Sequence, residues 1–309
     1  MKAIVCNDFG PIQNIEYKDV NEPIIQDESV IINVKSVGVN FPDGLLVQGK
    51  YQLKPDTPFI PGMEVAGEIV KIGPSVLNLK IGDRVAALSQ LSGYAEQAVV
   101  QEKSVFKIPS KMSFDDSCAL LCAYGTSHYA LKQRANLKKN ELLVVLGASG
   151  STGIAAIQIG KIMGAKVIAV SSNSEKQKIA KDNGADISIG YDNLKEELKS
   201  ISNGKGIDVI FDPVGGDIFD TVARTMARSG RLLVIGFASG TIPKLAVNLA
   251  LVKEFSVVGV FWGAFTRSEP IEYKQNMIEL FNWYKEGLLK PLIQDSYPLS
   301  EAAIVLEKI

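Results

Sequence analysis

The chain has 309 residues, with 33 Lys plus Arg against 34 Asp plus Glu and a formal net charge of −1. That length exceeds a usual single domain, so two domains are expected, and the balanced charge gives no general pull toward nucleic acid or an anionic membrane. Met1-Lys-Ala-Ile-Val-Cys6 runs straight into a strand pattern and no apolar run approaches about 18 uncharged residues, which argues for a cytoplasmic protein rather than an exported or inserted one. Cys6, Cys118 and Cys122 are too few and too oddly spaced for a disulfide framework, in keeping with a reducing compartment.

Up to residue 115 the sequence is a series of short strand-like runs divided by Gly, Pro and Asp turns. Val30–Val34, Glu64–Val70 and Tyr94–Val100 are the clearest, and together they predict an all-β, barrel-like half. From Ser113 the period becomes helical. Ser113 with Asp115 and Asp116 predicts a capped start, and apolar residues recur through Tyr129–Leu131. Strands and helices then alternate, with strands expected at Leu142–Leu146, Lys166–Val170, Ile207–Asp212, Leu232–Ile235 and Phe255–Val260. A helix is expected at Ile271–Lys285, and another begins at Pro298–Ala303 and returns to the first domain. The fold class is therefore α/β: a β-barrel-like domain followed by a doubly wound parallel sheet.

The most informative stretch is Leu142–Leu146 followed at once by Gly147-Ala-Ser-Gly-Ser-Thr-Gly153 and then by the apolar helix from Ile154 to Met163. Strand, glycine turn and helix in this order form a pyrophosphate cradle, because a helix N-terminus offers free N–H groups and a positive dipole end. Ser149, Gly150, Ser151, Thr152 and Gly153 are the residues expected to face the phosphates. The strict G-x-G-x-x-G register has Ala148 in its first place, so the following strands carry much of the argument.

The end of the second strand selects the dinucleotide. A site for NAD usually places Asp or Glu there to accept from the ribose 2′-hydroxyl, whereas this chain reads Val170-Ser-Ser-Asn-Ser-Glu-Lys176. Ser171 and Ser172 can donate hydrogen bonds and Lys176 can meet a 2′-phosphate, so NADPH is the expected cofactor. The plainer alternative makes Lys176 one of several solvated surface lysines. Cys118 and Cys122, a helical turn apart with His128 six residues on, are expected in the core rather than on a metal.

These pieces, in this order, resemble the medium-chain dehydrogenase/reductase superfamily, and within it the zinc-independent quinone oxidoreductases related to zeta-crystallin. The motifs that carry the resemblance are Gly38-Val-Asn-Phe-Pro-Asp43, Pro61-Gly-Met-Glu-Val-Ala-Gly67, Gly82-Asp-Arg-Val85, Gly93-Tyr-Ala-Glu96, Tyr124-Gly-Thr126, the glycine turn and Asp212-Pro-Val-Gly-Gly216. The resemblance implies a GroES-like catalytic domain over residues 1–122, completed by 266–309, and a Rossmann NADP-binding domain over 123–265. It also implies an active site in the cleft between them and a homodimer joined through strands at Phe255–Val260. No catalytic zinc is expected, because Asn40 and Asp43 stand where the family's zinc enzymes carry a first cysteine and Met63 stands where they carry a histidine. Family members continue through a final strand beyond the position of Ile309.

By the same resemblance, Asn40 and Asp43 line the cleft near the nicotinamide, Thr126 touches the cofactor, and Ser172, Lys176 and Tyr191 hold its adenosine end. Gly236, Phe237, Phe261, Trp262 and Gly263 follow the later strands and are expected near the nicotinamide amide and the substrate entrance. Asn40 and Asp43 have an equally open alternative as a turn cap beside Pro42. Tyr51, in Gly49-Lys-Tyr51, is either a proton donor, since an ordinary phenol is protonated at neutral pH, or an aromatic wall for a flat substrate. Gly44 and Leu45 replace a tyrosine found nearby in close quinone reductases, which implies a wider, more apolar pocket.

The implied activity is NADPH-dependent reduction of a small-molecule quinone or activated enone. An enoyl-thioester reductase, with Lys50, Lys54 and Arg267 meeting the phosphates of the thioester, is the alternative enzyme. A non-catalytic protein binding NADPH or RNA is the alternative of another class, although the charge balance gives RNA no support.

Overall fold

The computed structural model describes residues 1–309, which divide into one compact unit of residues 1–122 with 291–309 and a second of residues 123–290. In the first, β1 (Lys2–Val5) pairs antiparallel with β2 (Glu16–Asp19). A five-stranded antiparallel sheet contains β3 (Ser29–Val37), β4 (Glu64–Ile72), β5 (Arg84–Leu88), β6 (Gln97–Gln101) and β7 (Val105–Lys107), in the order β6-β3-β4-β5-β7. Alternation along these strands sends Val30, Ile32, Val65, Val85, Ala98 and Val100 into one apolar cluster, as the period of two demands. A second cluster joins Ile4, Cys6, Leu46, Phe59 and Tyr94 to Ala302 and Leu306 of the last helix, Ala302–Glu307.

The second unit is built on six parallel strands: β8 (Leu142–Val145), β9 (Lys166–Val170), β10 (Ile187–Ile189), β11 (Ile207–Asp212), β12 (Met226–Val234) and β13 (Ser256–Gly259). Their order is β10-β9-β8-β11-β12-β13. Counted within this unit, that is the doubly wound order 3-2-1-4-5-6 of the Rossmann sheet. The order reverses between β8 and β11, so the loops leaving those two strands flank the crevice where such sheets take their ligands. Val144, Leu146, Ile168, Val170 and Ile210 are fully buried, which explains why these strands read as continuous apolar runs.

Several elements differ from the sequence reading. The Asn40–Asp43 segment opens a short helix, Phe41–Val47, where only a turn or cap was anticipated. The strand expected from Tyr94 starts at Gln97. Ser113 does cap its helix, accepting from Asp116 N at 3.0 Å, but the stretch from Phe114 to Arg134 alternates α turns with two π turns, Leu120–Tyr124 and Ala130–Arg134. Residues 266–290 pack with the second unit rather than completing the first. The reason lies in the helix Pro270–Lys285: it buries Tyr273, Asn276, Met277 and Leu280, and its Glu279 meets the buried His128 at 2.7 Å.

Candidate functional site

In the second unit, the glycine turn follows β8 directly. Gly147 has a left-handed backbone (φ +56) that any other residue except Asn or Asp would resist, and the helix Ser151–Ile162 starts from Gly150. Gly153 is required by space: a Cβ there would lie 2.5 Å from the Gly147 carbonyl oxygen and 2.8 Å from Ala148 Cα. Gly150 and Ser151 are exposed, Ser149 and Thr152 half-buried, so the helix N-terminus is presented to solvent with its first N–H groups available. Thr126 is half-buried on the helix Gly125–Tyr129, and the adjacent Ser127 hydroxyl donates to the Thr152 carbonyl at 2.9 Å, which ties that helix to the turn.

The loop after β11 closes the other side of the crevice. The buried Asp212 carboxylate accepts from the Val214 and Gly215 N–H groups at 2.8 and 2.9 Å; burial raises its pKa and these two bonds oppose the rise. Val214 lies against Gly147, and Phe237 against Gly215, so the loops after β8, β11 and β12 meet. Gly236 and Phe237 are half-buried there. Phe261 is exposed and Gly263 half-buried. Trp262 departs from expectation: it is 8 % exposed, packs edge-on to Tyr273 and seats its indole against Gly125, where a Cβ would stand 2.5 Å from the ring. Its side chain belongs to the core of this unit.

At the end of β9, Ser171 is buried and its hydroxyl oxygen has no hydrogen-bond partner, whereas Ser172 and Lys176 are exposed. Asn173 caps the helix Ser174–Asp182 by accepting from Lys176 N at 2.8 Å. The end of β9 and the start of the following helix therefore offer an orphaned hydroxyl, an exposed hydroxyl and an exposed lysine, groups able to donate to an anion. Tyr191 is engaged differently from the resemblance: its hydroxyl accepts from Gly147 N at 3.0 Å, bracing the glycine turn, and burial raises its pKa.

In the first unit, Asn40 and Asp43 come together, and Asp43 is the clear correction. It is 0 % exposed. Its Oδ2 accepts from Asn40 N at 2.9 Å and Tyr94 Oη at 3.0 Å, while Asp43 N donates to the Asn40 carbonyl at 2.9 Å, closing the first turn of the helix. A group so enclosed cannot touch substrate. Burial pushes its carboxyl up to about 7, against the bonds from Asn40, Tyr94 and Gly62. Asn40 is half-buried, and its Nδ2 donates to Glu64 Oε1 at 2.7 Å. Tyr51 is half-buried and packs on the cluster of Ile4, Leu46 and Phe59.

Glu64 is the residue that sequence reasoning left without a role. It is 3 % exposed, burial raises its pKa, and its Oε2 accepts from Cys122 N at 2.7 Å. The available signal was an acid opening an otherwise apolar strand, Glu64-Val-Ala-Gly, where a charge is retained only with partners.

Residues 26–110 match the alcohol dehydrogenase GroES-like domain, and residues 151–283 match the family described as zinc-binding dehydrogenase. The chain is similar to the quinone oxidoreductase-like protein 2 homolog of Nematostella vectensis, 38% identical over 305 residues, which cover 97% of this chain and 83% of that one. It is 33% identical to the human quinone oxidoreductase over 313 residues, 100% and 94% of the two chains. Among solved structures, the Escherichia coli quinone oxidoreductase complexed with NADPH superposes with a TM-score of 0.92 at 26% identity, covering 99% of this chain and 95% of that one.

The second family description raises zinc, and the residues do not fit it. Glu64 and Asp43, the acids nearest Asn40, already accept hydrogen bonds from Asn40, Cys122 and Tyr94. No three His, Cys, Asp or Glu side chains converge as a metal site would require.

Proposed function

We propose that this chain, which belongs to the quinone oxidoreductase family, catalyses NADPH-dependent reduction of quinones or activated enones without zinc. The observation that carries the reading is the glycine turn at the point where the strand order reverses, with Ser171, Ser172 and Lys176 at the end of the neighbouring strand and no acid there to accept from a 2′-hydroxyl. The dinucleotide, when bound, supplies the hydride. The turn Ser149 to Gly153 holds its pyrophosphate, with Ser151 and Thr152 at the helix N-terminus giving backbone N–H groups, Ser172 and Lys176 meet the 2′-phosphate, and Thr126, Gly236, Phe237, Phe261 and Gly263 border the nicotinamide end. Asn40 lines the reacting region. A quinone needs little polarisation to accept hydride, so the protein acts by positioning and by excluding water, and the proton comes from Tyr51 or solvent.

The setting proposed is a homodimer in the cytoplasm. β13 is the outer strand of its sheet and has one edge unpaired there, with Val257 38 % exposed, which suits strand pairing across a two-fold axis. Cys6, Cys118 and Cys122 are free thiols, as a reducing compartment maintains them. No helix is long and apolar enough to cross a membrane.

Initial rates of NADPH oxidation with 9,10-phenanthrenequinone and with crotonyl-CoA, each with and without a chelator, test the proposal. Quinone turnover that the chelator leaves unchanged is expected. Turnover with crotonyl-CoA alone would make the protein an enoyl-thioester reductase with Tyr51 as proton donor, and loss of activity on chelation would contradict the zinc-free reading.

A further inference from the structure

The helix Gly125–Tyr129 is pinned on three sides within the second unit. Toward the helix Ser151–Ile162, the buried Ser127 hydroxyl donates to the Thr152 carbonyl at 2.9 Å, and the hydroxyl of Tyr124, one residue before the helix, donates to Gln158 Oε1 at 3.0 Å. Toward the helix Trp262–Ser268, Gly125 takes the Trp262 indole so closely that a Cβ would stand 2.5 Å from the ring, and Tyr129 stacks on Phe265 with ring centroids 4.1 Å apart. His128 meets Glu279 of the helix Pro270–Lys285 at 2.7 Å. At about 100° per residue, these contacts use every face but that of Thr126, which lies nearly opposite His128 and is the one half-buried residue from Ala123 to His128.

Thr152 belongs to the first turn of the helix that would receive the pyrophosphate. At the other side, the Phe261 carbonyl accepts from Ala264 N at 3.1 Å and Phe265 N at 3.2 Å, so the exposed Phe261 is fixed to its helix where Trp262 enters the core. We infer that the helix Gly125–Tyr129 is a strut that sets the spacing between the pyrophosphate turn and the loop at Phe261–Gly263, with Ser127 and Trp262 as the positioning residues at its two ends. This role rests on the proposed placement of NADPH and adds how the two halves of that molecule come to bind as one ligand. Subsites held at a fixed spacing meet the second half of a linked ligand at high effective concentration, and that gain is lost when the spacing varies.

Dissociation constants for NADPH and for 2′-phospho-ADP-ribose, which lacks the nicotinamide, separate a strut from local packing. Ser127→Ala is expected to weaken NADPH binding about two- to tenfold, the range of one ordinary hydrogen bond, and to leave 2′-phospho-ADP-ribose within about twofold of the wild type. Trp262→Phe, which withdraws the larger ring from Gly125, is expected to produce the same contrast from the other end. Combining the two should cost little more than either alone, because a strut freed at one end no longer fixes the spacing.

Calorimetric titration of the folded variants supplies these constants, and if Trp262→Phe fails to fold, the contrast between the two ligands in Ser127→Ala decides alone. Equal losses for the two ligands would show that Ser127 only shapes the phosphate turn. Unchanged NADPH affinity in Ser127→Ala, or losses that add in the double variant, would likewise overturn the strut. A wild-type protein that binds neither ligand would instead overturn the proposed function, and the role of the strut would fall with it.

Discussion

Asp43 shows how burial alone changes what a carboxyl group does. Enclosed with Tyr94 and Asn40, it keeps its proton up to about pH 7, whereas in the unfolded chain it ionises near 3.8. Between those values the folded state binds more protons than the unfolded state, so stability falls as pH rises from about 4 to about 7 and levels off above. The full effect is on the order of 4 kcal/mol. Asp43→Asn removes the titration. The thermal midpoint of the wild type is therefore expected to decline relative to Asp43→Asn across that window, and parallel profiles for the two proteins would show that Asp43 ionises freely when folded. The pair Asn40 and Asp43 was legible as a cap or a cleft lining, and sequence spacing left these two open because neither reading depends on Tyr94 or Glu64, which lie 51 and 24 residues away from their partners. Tyr191 misled for a related reason: an aromatic at that place matches adenine stacking, but its use depends on where the hydroxyl ends, here on Gly147 N.

At the scale of elements, strand-turn-helix was the most legible feature because each of its parts is dictated locally. The apolar run gives a buried strand, the left-handed Gly147 gives the turn, and Gly153 lets the helix lie on it. Gly153→Ala tests that account. Helix propensity favours alanine by about 1 kcal/mol, whereas forcing a methyl against the backbone of Gly147 and Ala148 costs about 1–3 kcal/mol and has no flexible side chain to move aside. A lower thermal midpoint and NADPH binding weakened about tenfold or more are expected by calorimetry and fluorescence titration. A stabilised variant with unaltered affinity would show that the turn is not where the phosphates bind. The helix Phe41–Val47 was hidden by Pro42, which reads as a turn residue but is equally at home in a first helical turn. The π turns at Leu120–Tyr124 and Ala130–Arg134 left no periodicity to detect, since five-residue irregularities barely disturb an apolar pattern.

For the whole molecule, two domains were expected from length and from the change of hydrophobic period near Ser113, and the strand order 3-2-1-4-5-6 of the second unit supplies the crevice that the proposed chemistry needs. The placement of residues 266–290 was not legible, because an amphipathic helix such as Pro270–Lys285 fits either unit until its partners, here His128, Lys132 and Gln133, are known. The proposed reaction uses NADPH in preference to NADH to reduce a quinone. The most direct test is the ratio of kcat/KM for NADPH to that for NADH, with 9,10-phenanthrenequinone as acceptor. A charge-assisted contact from Lys176 to a 2′-phosphate predicts a ratio of about ten or more; a ratio near one, a preference for NADH, or no oxidation of either nucleotide would contradict the account.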